Sequence, residues 1–218
     1  MLEGLTMDPI AIIAILIALS LAPFILLLVS SFVKIAVVLS LIRNALGVQQ
    51  VPPNMVLNGM AIMLTIYVMY PVVRETFSIV EGVNFKDSSL QEIAPVAQKA
   101  VVPLRKFLSK HTKESGSVFF MNMAKRMWPP EAQEGLSKEH LLILIPAFVV
   151  SELTAAFQIG FLLYLPFIAI DMIVSNILLA MGMMMVSPMT ISLPFKMMLF
   201  VLIDGWTKLV EGLVKTYS

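Results

Sequence analysis

Five charged residues interrupt the long apolar stretches of this sequence, where a charge is costly unless something compensates it. A single charge at the centre of a bilayer costs at least about 2.5 to 3.5 kcal/mol, even on the most lenient insertion scale. Such a side chain normally faces an opposite charge, a cavity or a neighbouring subunit, and a buried carboxylate can also bind a proton or sodium ion. The five residues are Lys34, Glu152, Asp171, Lys196 and Asp204.

Residues that enzyme chemistry needs are missing or poorly placed. The two histidines, His111 and His140, are distant in sequence from the apolar carboxylates, so each is expected to be solvated or locally hydrogen-bonded. The sequence contains no His-Glu-x-x-His pair, no Gly-x-Ser-x-Gly elbow and no glycine loop for phosphate. Cysteine is absent, which removes disulfides and thiolate metal sites. We therefore predict that the chain is not an enzyme and carries no cofactor, catalytic residue or metal.

Composition places the chain among membrane proteins. Of its 218 residues 59% are apolar and only 13% are charged, and the mean hydropathy is +0.92. Such values lie outside the range of soluble proteins, and this length leaves room for about four spans of ~20 residues each. The net charge of +1 gives no reason to expect nucleic acid as a partner.

The N-terminal part, residues 1–73, is predicted to form a hydrophobic hairpin. Its first apolar run, residues 10–42, is longer than a bilayer requires, so it must tilt, kink at Pro23 or project out of the hydrocarbon. No Lys or Arg precedes Lys34, so the run lacks the basic start of a secretory signal and is expected to be retained. A polar connector then leads to a second apolar run at residues 55–73.

Residues 74–140 are predicted to form a polar helical domain, since they contain ten of the fifteen Lys and Arg. Apolar residues spaced three and four apart indicate amphipathic helices over residues 93–108 and 118–128. Pro103 is expected to kink the first helix, and Pro129 with Pro130 to end the second. We expect these short helices to pack as a pair.

The C-terminal part, residues 141–218, is predicted to be a hairpin of broken helices that turns near residues 187–194. Prolines at 146, 166, 188 and 194 set the expected breaks. Freed backbone groups at such breaks must be buried in protein or line a watery cavity. The fold class predicted for the whole chain is all-α, with membrane-type helical hairpins and a small polar helical domain.

Methionines are crowded into the stretch before and after this turn. Methionine is unbranched and polarizable, so it fills irregular gaps. Several copies of the stretch around an axis could form a ring of thioethers that closes against ions yet deforms around a passing chain. Ordinary core packing is the competing interpretation. The residues are Met181, Met183, Met184, Met185 and Met189.

The buried carboxylates leave two interpretations open. Glu152 and Asp171 could serve a small ion-coupled transporter, because intramembrane carboxylates often bind protons or sodium. Structural ion pairing is the alternative, and it is favoured because Lys34 and Lys196 are buried in the same pattern. The chain also lacks a pair of equivalent broken segments that would mark an inverted repeat. Asp204 and Lys208, four residues apart, are expected to form a local surface pair.

Several stretches resemble the FliP/SctR family of type III secretion export-gate proteins. The first is LAPFILLLVSSFVKIAVVLSLIRNALGVQQVPPNMVLN at residues 21–58. The C-terminal half contributes IPAFVVSELTAAFQIG, YLPFIAID, MGMMMVSPMTIS and FVLIDGW, beginning at Ile145 and ending at Trp206. The match covers most of the chain outside residues 74–140, and the absence of a convincing signal peptide fits a virulence-type member better than a flagellar one.

The resemblance implies a subunit of an export gate rather than a carrier. Family members assemble into a helical ring, a pentamer, with FliQ/SctS-type and FliR/SctT-type membrane proteins, beside the FlhB/SctU-type switch protein and the export-gate ring. The assembly stands in the bacterial inner membrane, raised largely to the periplasmic side, where we also place residues 74–140. Unfolded secreted proteins pass along its axis, and other components supply the energy.

Two sets of functional residues are implied by the same resemblance. The family's methionine gasket, which seals the pore at rest, falls on Met183, Met184 and Met185. The family's inter-subunit ion pair falls on Glu152 and Lys196. These assignments leave Lys34, Asp171 and Asp204 as buried charges without assigned partners.

Overall fold

The computed structural model describes residues 9–48, 50–81 and 90–218, and these residues are all-α, as predicted, with no strand among them. A single 3₁₀ turn, Pro130–Gln133, separates the sixth and seventh helices. The helices are α1 (Pro9–Leu28), α2 (Phe32–Leu46), α3 (Asn54–Val80), α4 (Leu90–Ala100), α5 (Val102–His111), α6 (Glu114–Met127), α7 (Leu141–Ala180), α8 (Pro188–Leu202) and α9 (Gly205–Lys215).

Helix α2 forms the centre of the molecule. Its side chains Ile35, Val38 and Leu39 are completely buried, and α2 packs most extensively against α7 and then against α3. Lys34 lies beside Glu152 near one end of the contact, and Leu41 lies against Gly160 further along. Because residue numbers rise together on both helices, α2 and α7 run parallel.

Two helices, α3 and α7, are each long and apolar enough to cross a membrane. A third span is possible if α1 and α2 form one broken unit, since residues 16–28 and 32–46 are bent by 63°. The described residues thus offer two or three spans, fewer than the roughly four that length allowed. Of the three ways open to the first apolar run, which are tilting, a kink at Pro23 and projection from the hydrocarbon, the described residues show a bend, but it lies at residues 29–31.

Serine side chains explain why the chain breaks there instead of at the proline. The Ser30 hydroxyl donates to the Leu27 carbonyl at 3.0 Å and accepts from the Phe32 amide at 3.4 Å. These bonds give the backbone an alternative to the helical ladder. Pro23 lies inside α1, which continues through it.

Prolines also fail to break the C-terminal helices where the sequence predicted. Helix α7 runs for 40 residues through Pro146 and Pro166, and α8 continues through Pro194. Only Pro188 marks a boundary, at the first turn of α8, where a missing amide hydrogen costs nothing. Two continuous helices, α7 and α8, are joined by a turn at residues 181–187, which is earlier than the predicted turn at residues 187–194.

The helices between α3 and α7 follow the predicted pattern but not the predicted packing. The chain breaks at Val101, and Pro103 lies in the first turn of α5. Helix α6 ends at Met127, before the two prolines. Helix α5 packs against α7 and α3, and α6 packs against α7. They are therefore not a self-contained pair, because the apolar face of each is covered by a long helix.

Candidate functional site

Lys34 and Glu152 form a buried ion pair between α2 and α7. The Lys34 Nζ lies 3.2 Å from Glu152 Oε1, and each side chain is at most 4% exposed. Near the C-terminus, the Tyr217 hydroxyl donates a hydrogen bond to the other carboxylate oxygen, Oε2. The same hydroxyl lies 3.3 Å from the Ser31 carbonyl, and Lys34 Nζ lies 3.7 Å from the centre of the tyrosine ring. The two buried charges thus compensate each other, and Tyr217 adds a hydrogen bond, so α2, α7 and the C-terminal end of the chain meet at this site.

Aromatic rings close this cluster on the side of α5. The Phe107 ring packs against His111, Phe148 and Tyr217, with centroid distances of 4.8, 5.8 and 6.0 Å. Burial, together with the positive charges of Lys34 and Lys110, lowers the pKa of His111 to about 4. Burial and the neighbouring carboxylate raise the pKa of Tyr217 far above its usual range, so its hydroxyl stays a donor. The histidine is therefore neutral at pH 7.

Lys196, whose side chain is buried, forms a second ion pair between α8 and α7 with the partly exposed Asp171. Its Nζ lies 2.6 Å from Asp171 Oδ2 and 3.3 Å from the Ala45 carbonyl in the last turn of α2. The Ser192 hydroxyl donates to the other Asp171 oxygen at 2.5 Å. A cation at a helix C-terminus binds free carbonyls and interacts favourably with the helix dipole. Lys196 thereby joins α2, α7 and α8.

Gly47 ends α2 beside that lysine. It follows α2 with a φ of +77°, a left-handed conformation that favours glycine. A Cβ at this position would lie 3.7 Å from Lys196 Nζ, and the Gly47 amide donates to the Asn44 carbonyl. Glycine is therefore favoured here by the backbone conformation that ends α2, because a Cβ would make only an ordinary contact with the lysine.

The turn between α7 and α8 has a fixed backbone. The Met183 amide donates to the Leu178 carbonyl at 2.9 Å, and the Gly182 amide to the Leu179 carbonyl at 3.0 Å. These two bonds form a Schellman motif, for which Gly182 supplies the required left-handed residue at a φ of +75°. The position of the following methionines is thus set by the end of α7.

The predicted gasket methionines are displayed by this turn. Met183 is 40% exposed, Met184 is 80% exposed and Met185 is fully exposed in the single chain. Ordinary core packing, the competing interpretation, does not apply to these side chains in the single chain, because they are exposed. A sequence profile of the FliP family matches residues 15–213.

The chain belongs to the FliP family. It is 52% identical over 211 residues to the Yop proteins translocation protein R of Yersinia pestis, covering 97% of both chains. It is 49% identical over 216 residues to the virulence protein YscR of Salmonella typhimurium, covering 97% of this chain and 98% of the relative. The harpin secretion protein HrcR of Erwinia amylovora is 48% identical over 210 residues, or 96% and 97% of the two chains. The predicted resemblance to the virulence-type branch is confirmed.

Within this FliP-family chain, Glu152 and Lys196 are not partners of each other. Glu152 pairs with Lys34, and Lys196 pairs with Asp171. Two of the charges that lacked partners in the sequence thus have them here. The pairing of Glu152 with Lys196 across a subunit boundary concerns the assembly and stays a prediction.

Asp204 differs from the other four charges, because it is exposed in the single chain. It has a left-handed φ of +53° at the corner before α9, and its Oδ1 accepts from the Thr207 hydroxyl at 3.1 Å. The link to Lys208 that the structure describes is a backbone hydrogen bond of 3.2 Å, not the predicted ion pair. Apolar neighbours in sequence suggested burial, but a corner between two helices turns the side chain outward.

Sequence reasoning overlooked Tyr217, which completes the Glu152 site. A signal for it existed, since Leu209, Leu213 and Tyr217 are spaced four apart and all three are buried. That spacing places them on one face of α9 and its extension. Metal binding has no support in the described part of the chain, where no three His, Asp or Glu side chains converge.

Proposed function

We propose that this FliP-family chain is a core subunit of the type III secretion export gate, forming the entry pore for unfolded proteins. The relatives named as Yop translocation, virulence and harpin secretion proteins support a role in that secretion apparatus. The pore and its methionine seal are the finer part of the proposal. By family membership the partners are further copies in a pentamer, the SctS- and SctT-type proteins, the SctU-type switch protein and the export-gate ring.

The methionine turn is the observation that carries the proposal. Met184 and Met185 extend from a turn whose backbone is fixed by hydrogen bonds. Their side chains are almost completely exposed in the single chain. Exposed flexible thioethers on a rigid support suit a seal that must close on itself and yet deform around a chain in transit. Copies arranged around an axis bring these side chains together there.

Apolar surface supports the assembly and the membrane location. None of the α1 side chains that the structure describes is buried, and in an apolar stretch of 18 residues within each of α3 and α7 only 11% of the residues are buried. So large an apolar surface must be covered by lipid or by other subunits. We assign it to the bacterial inner membrane and to neighbouring subunits, with much of the assembly raised to the periplasmic side.

The ion-coupled transporter is the weaker candidate. A carboxylate that binds a transported ion must exchange it, but Glu152 and Asp171 are each bound to a lysine at 3.2 and 2.6 Å. Breaking either pair would leave an uncompensated buried charge, which costs about 3 to 5 kcal/mol. The pairs therefore favour a structural role.

Replacing Met183, Met184 and Met185 together by alanine tests the seal. We expect ion and small-solute leakage through the assembled gate to rise while assembly is retained, because the thioethers that close the axis are lost. Conductance of the purified complex in a planar bilayer measures this.

A matched control replaces three other exposed methionines, Met63, Met172 and Met198, by alanine. This variant should leak no more than the unmodified complex. Unchanged permeability in a correctly assembled complex with the Met183–Met185 replacement would contradict the seal.

A further inference from the structure

A large apolar groove lies between α1, α3 and the junction of α4 with α5. Its volume is about 860 Å³, within the range of sites that hold whole small molecules, roughly 300 to 1,000 Å³. Helix α3 is a candidate span and α1 belongs to the bent pair. The groove therefore opens where the hydrocarbon of a bilayer would lie.

The wall of the groove offers no free hydroxyl from its serine and threonines. The Ser30 hydroxyl donates to the Leu27 carbonyl, and the Thr65 hydroxyl to the Ala61 carbonyl at 2.7 Å. The Thr76 hydroxyl donates across the groove's end to the Ala100 carbonyl at 3.4 Å. An occupant of this part of the groove must therefore be apolar, since a polar group there would lose its hydrogen bonds to water.

Two arginines flank the end of the groove where α3 meets α5. Arg105 lies one turn after Val101, a lining residue, and its amide donates to the Val101 carbonyl. Its Nε is buried and has no hydrogen-bond partner within the described residues. Arg74 lies one turn before the lining residue Phe77 on α3. Glu75, the next residue on α3, lies at the same level of the helix and is also exposed, so its charge offsets that of Arg74.

We propose that the groove binds an anionic phospholipid, with acyl chains along α1 and α3 and the phosphate at Arg105. A guanidinium presents several N–H donors in a planar fork that fits phosphate oxygens, and Arg105 supplies one at this end of the groove. A neighbouring apolar helix could fill the groove but would bring no anion for Arg105. This site is independent of the role in secretion.

Lipid binding to the delipidated full-length chain in detergent tests the proposal. Dioleoyl phosphatidylglycerol and dioleoyl phosphatidylcholine share their acyl chains and differ in charge, so native mass spectrometry can compare both lipids. We expect tighter binding of phosphatidylglycerol, and Arg105→Gln should reduce this preference by about fivefold. Arg126→Gln, on α6, is the matched control and should leave it unchanged.

A second variant tests the groove itself. Ile66 lines it and is 65% exposed, so Ile66→Trp fills the groove without disturbing the core. It should weaken binding of both lipids, whereas Leu162→Trp, equally exposed on α7, should not. Equal affinity of the unmodified chain for both lipids would overturn the proposal. Lipid binding that neither Arg105→Gln nor Ile66→Trp changes would also overturn it. A dimer that Ile66→Trp dissociates, with no loss of bound lipid, would do the same.

Discussion

A buried lysine fixes each end of α2. Lys34 belongs to α2 itself, and Lys196 reaches the other end of α2 from α8. Lys34 pairs with Glu152 near the start of the helix, and Lys196 binds Asp171 together with the Ala45 carbonyl near its end. Such pairs add little stability compared with apolar residues of the same shape, but they are costly to break. Their effect is to fix how α2 sits against α7 and α8.

Charge reversal separates the pairing within the chain from the pairing predicted between subunits. We expect Glu152→Lys alone to destabilise the chain by about 3 to 5 kcal/mol, because two buried cations then face each other. Adding Lys34→Glu should recover much of the loss, as judged by the unfolding temperature in detergent. Adding Lys196→Glu should not, because Lys196 is bound to Asp171.

The opposite pattern in assembled complexes would support the inter-subunit pair. Recovery of assembly by Glu152→Lys with Lys196→Glu, but not with Lys34→Glu, would show that the partners exchange between subunits. That result would contradict the intrachain assignment for the assembled state.

His111 makes stability depend on pH. Its pKa is lowered to about 4 by burial first and then by Lys34 and Lys110, while the unfolded chain has the ordinary value of about 6.5. Between these values the unfolded chain binds more protons, so stability is full above about pH 6.5 and falls as pH drops toward 4. The unfolding temperature in detergent should therefore fall from pH 7 to pH 5.

Replacing His111 by glutamine should weaken that dependence, because the titrating group is gone. His140→Gln, at an exposed position, is the control and should keep the slope of the unmodified chain. An equal slope in all three proteins would refute the assignment to His111.

The sequence identified most of these residues but not their contacts. Burial of Lys34, Glu152 and Lys196 follows from the apolar runs around them. Their partners depend on which helices pack together and in which direction, and a single sequence contains no direct information on that. Tyr217 was missed for the same reason, since it reaches Glu152 only through the fold.

At the scale of the helices, Gly160 allows the close approach of α7 to α2. A Cβ at this position would lie 2.3 Å from Leu41 Cδ1 and 3.2 Å from Leu41 Cβ. The terminal methyl can rotate away, but the Cβ of Leu41 moves only with its helix. We expect Gly160→Ala to lower the free energy of unfolding by about 1 to 3 kcal/mol.

Gly59→Ala is the matched control in α3, because no atom lies within 4 Å of the added Cβ. It should stabilise the chain by about 0.5 to 1 kcal/mol, since glycine is a poor helix former. Thermal unfolding of both variants in the same detergent measures the difference. Similar effects of the two replacements would show that the α2–α7 contact is looser than described.

Proline shows why helix boundaries were only partly predictable. Pro103, Pro129 and Pro188 coincide with a helix start or lie just beyond an end, as the sequence suggested. Pro23 and Pro166 lie at exposed positions within continuous helices. The local rule therefore predicts where a helix can end, but not whether it ends there.

Over the whole molecule, the helices form one connected arrangement around α2 and α7. Helices from all three predicted segments touch α7: α2 from residues 1–73, α5 and α6 from residues 74–140, and α8 from the C-terminal part. The division at residues 73 and 140 thus stays a prediction about composition, while the packing joins the segments. The all-α class was predictable because it follows from composition and periodicity, whereas assembly depends on surfaces of other chains.

The native mass of the detergent-extracted protein tests the assembly that this surface implies. Phe157, Phe161, Leu162 and Leu165 form part of an exposed apolar face on α7, and covering such a face with further helices is favourable. Coexpressed with the proposed SctS- and SctT-type partners, the chain is predicted from the family resemblance to be present at five times the 24.1 kDa of one copy. Mass photometry of the complex, with the partners' own masses subtracted, measures this. A single copy under the same conditions would contradict the gate and favour a small transporter.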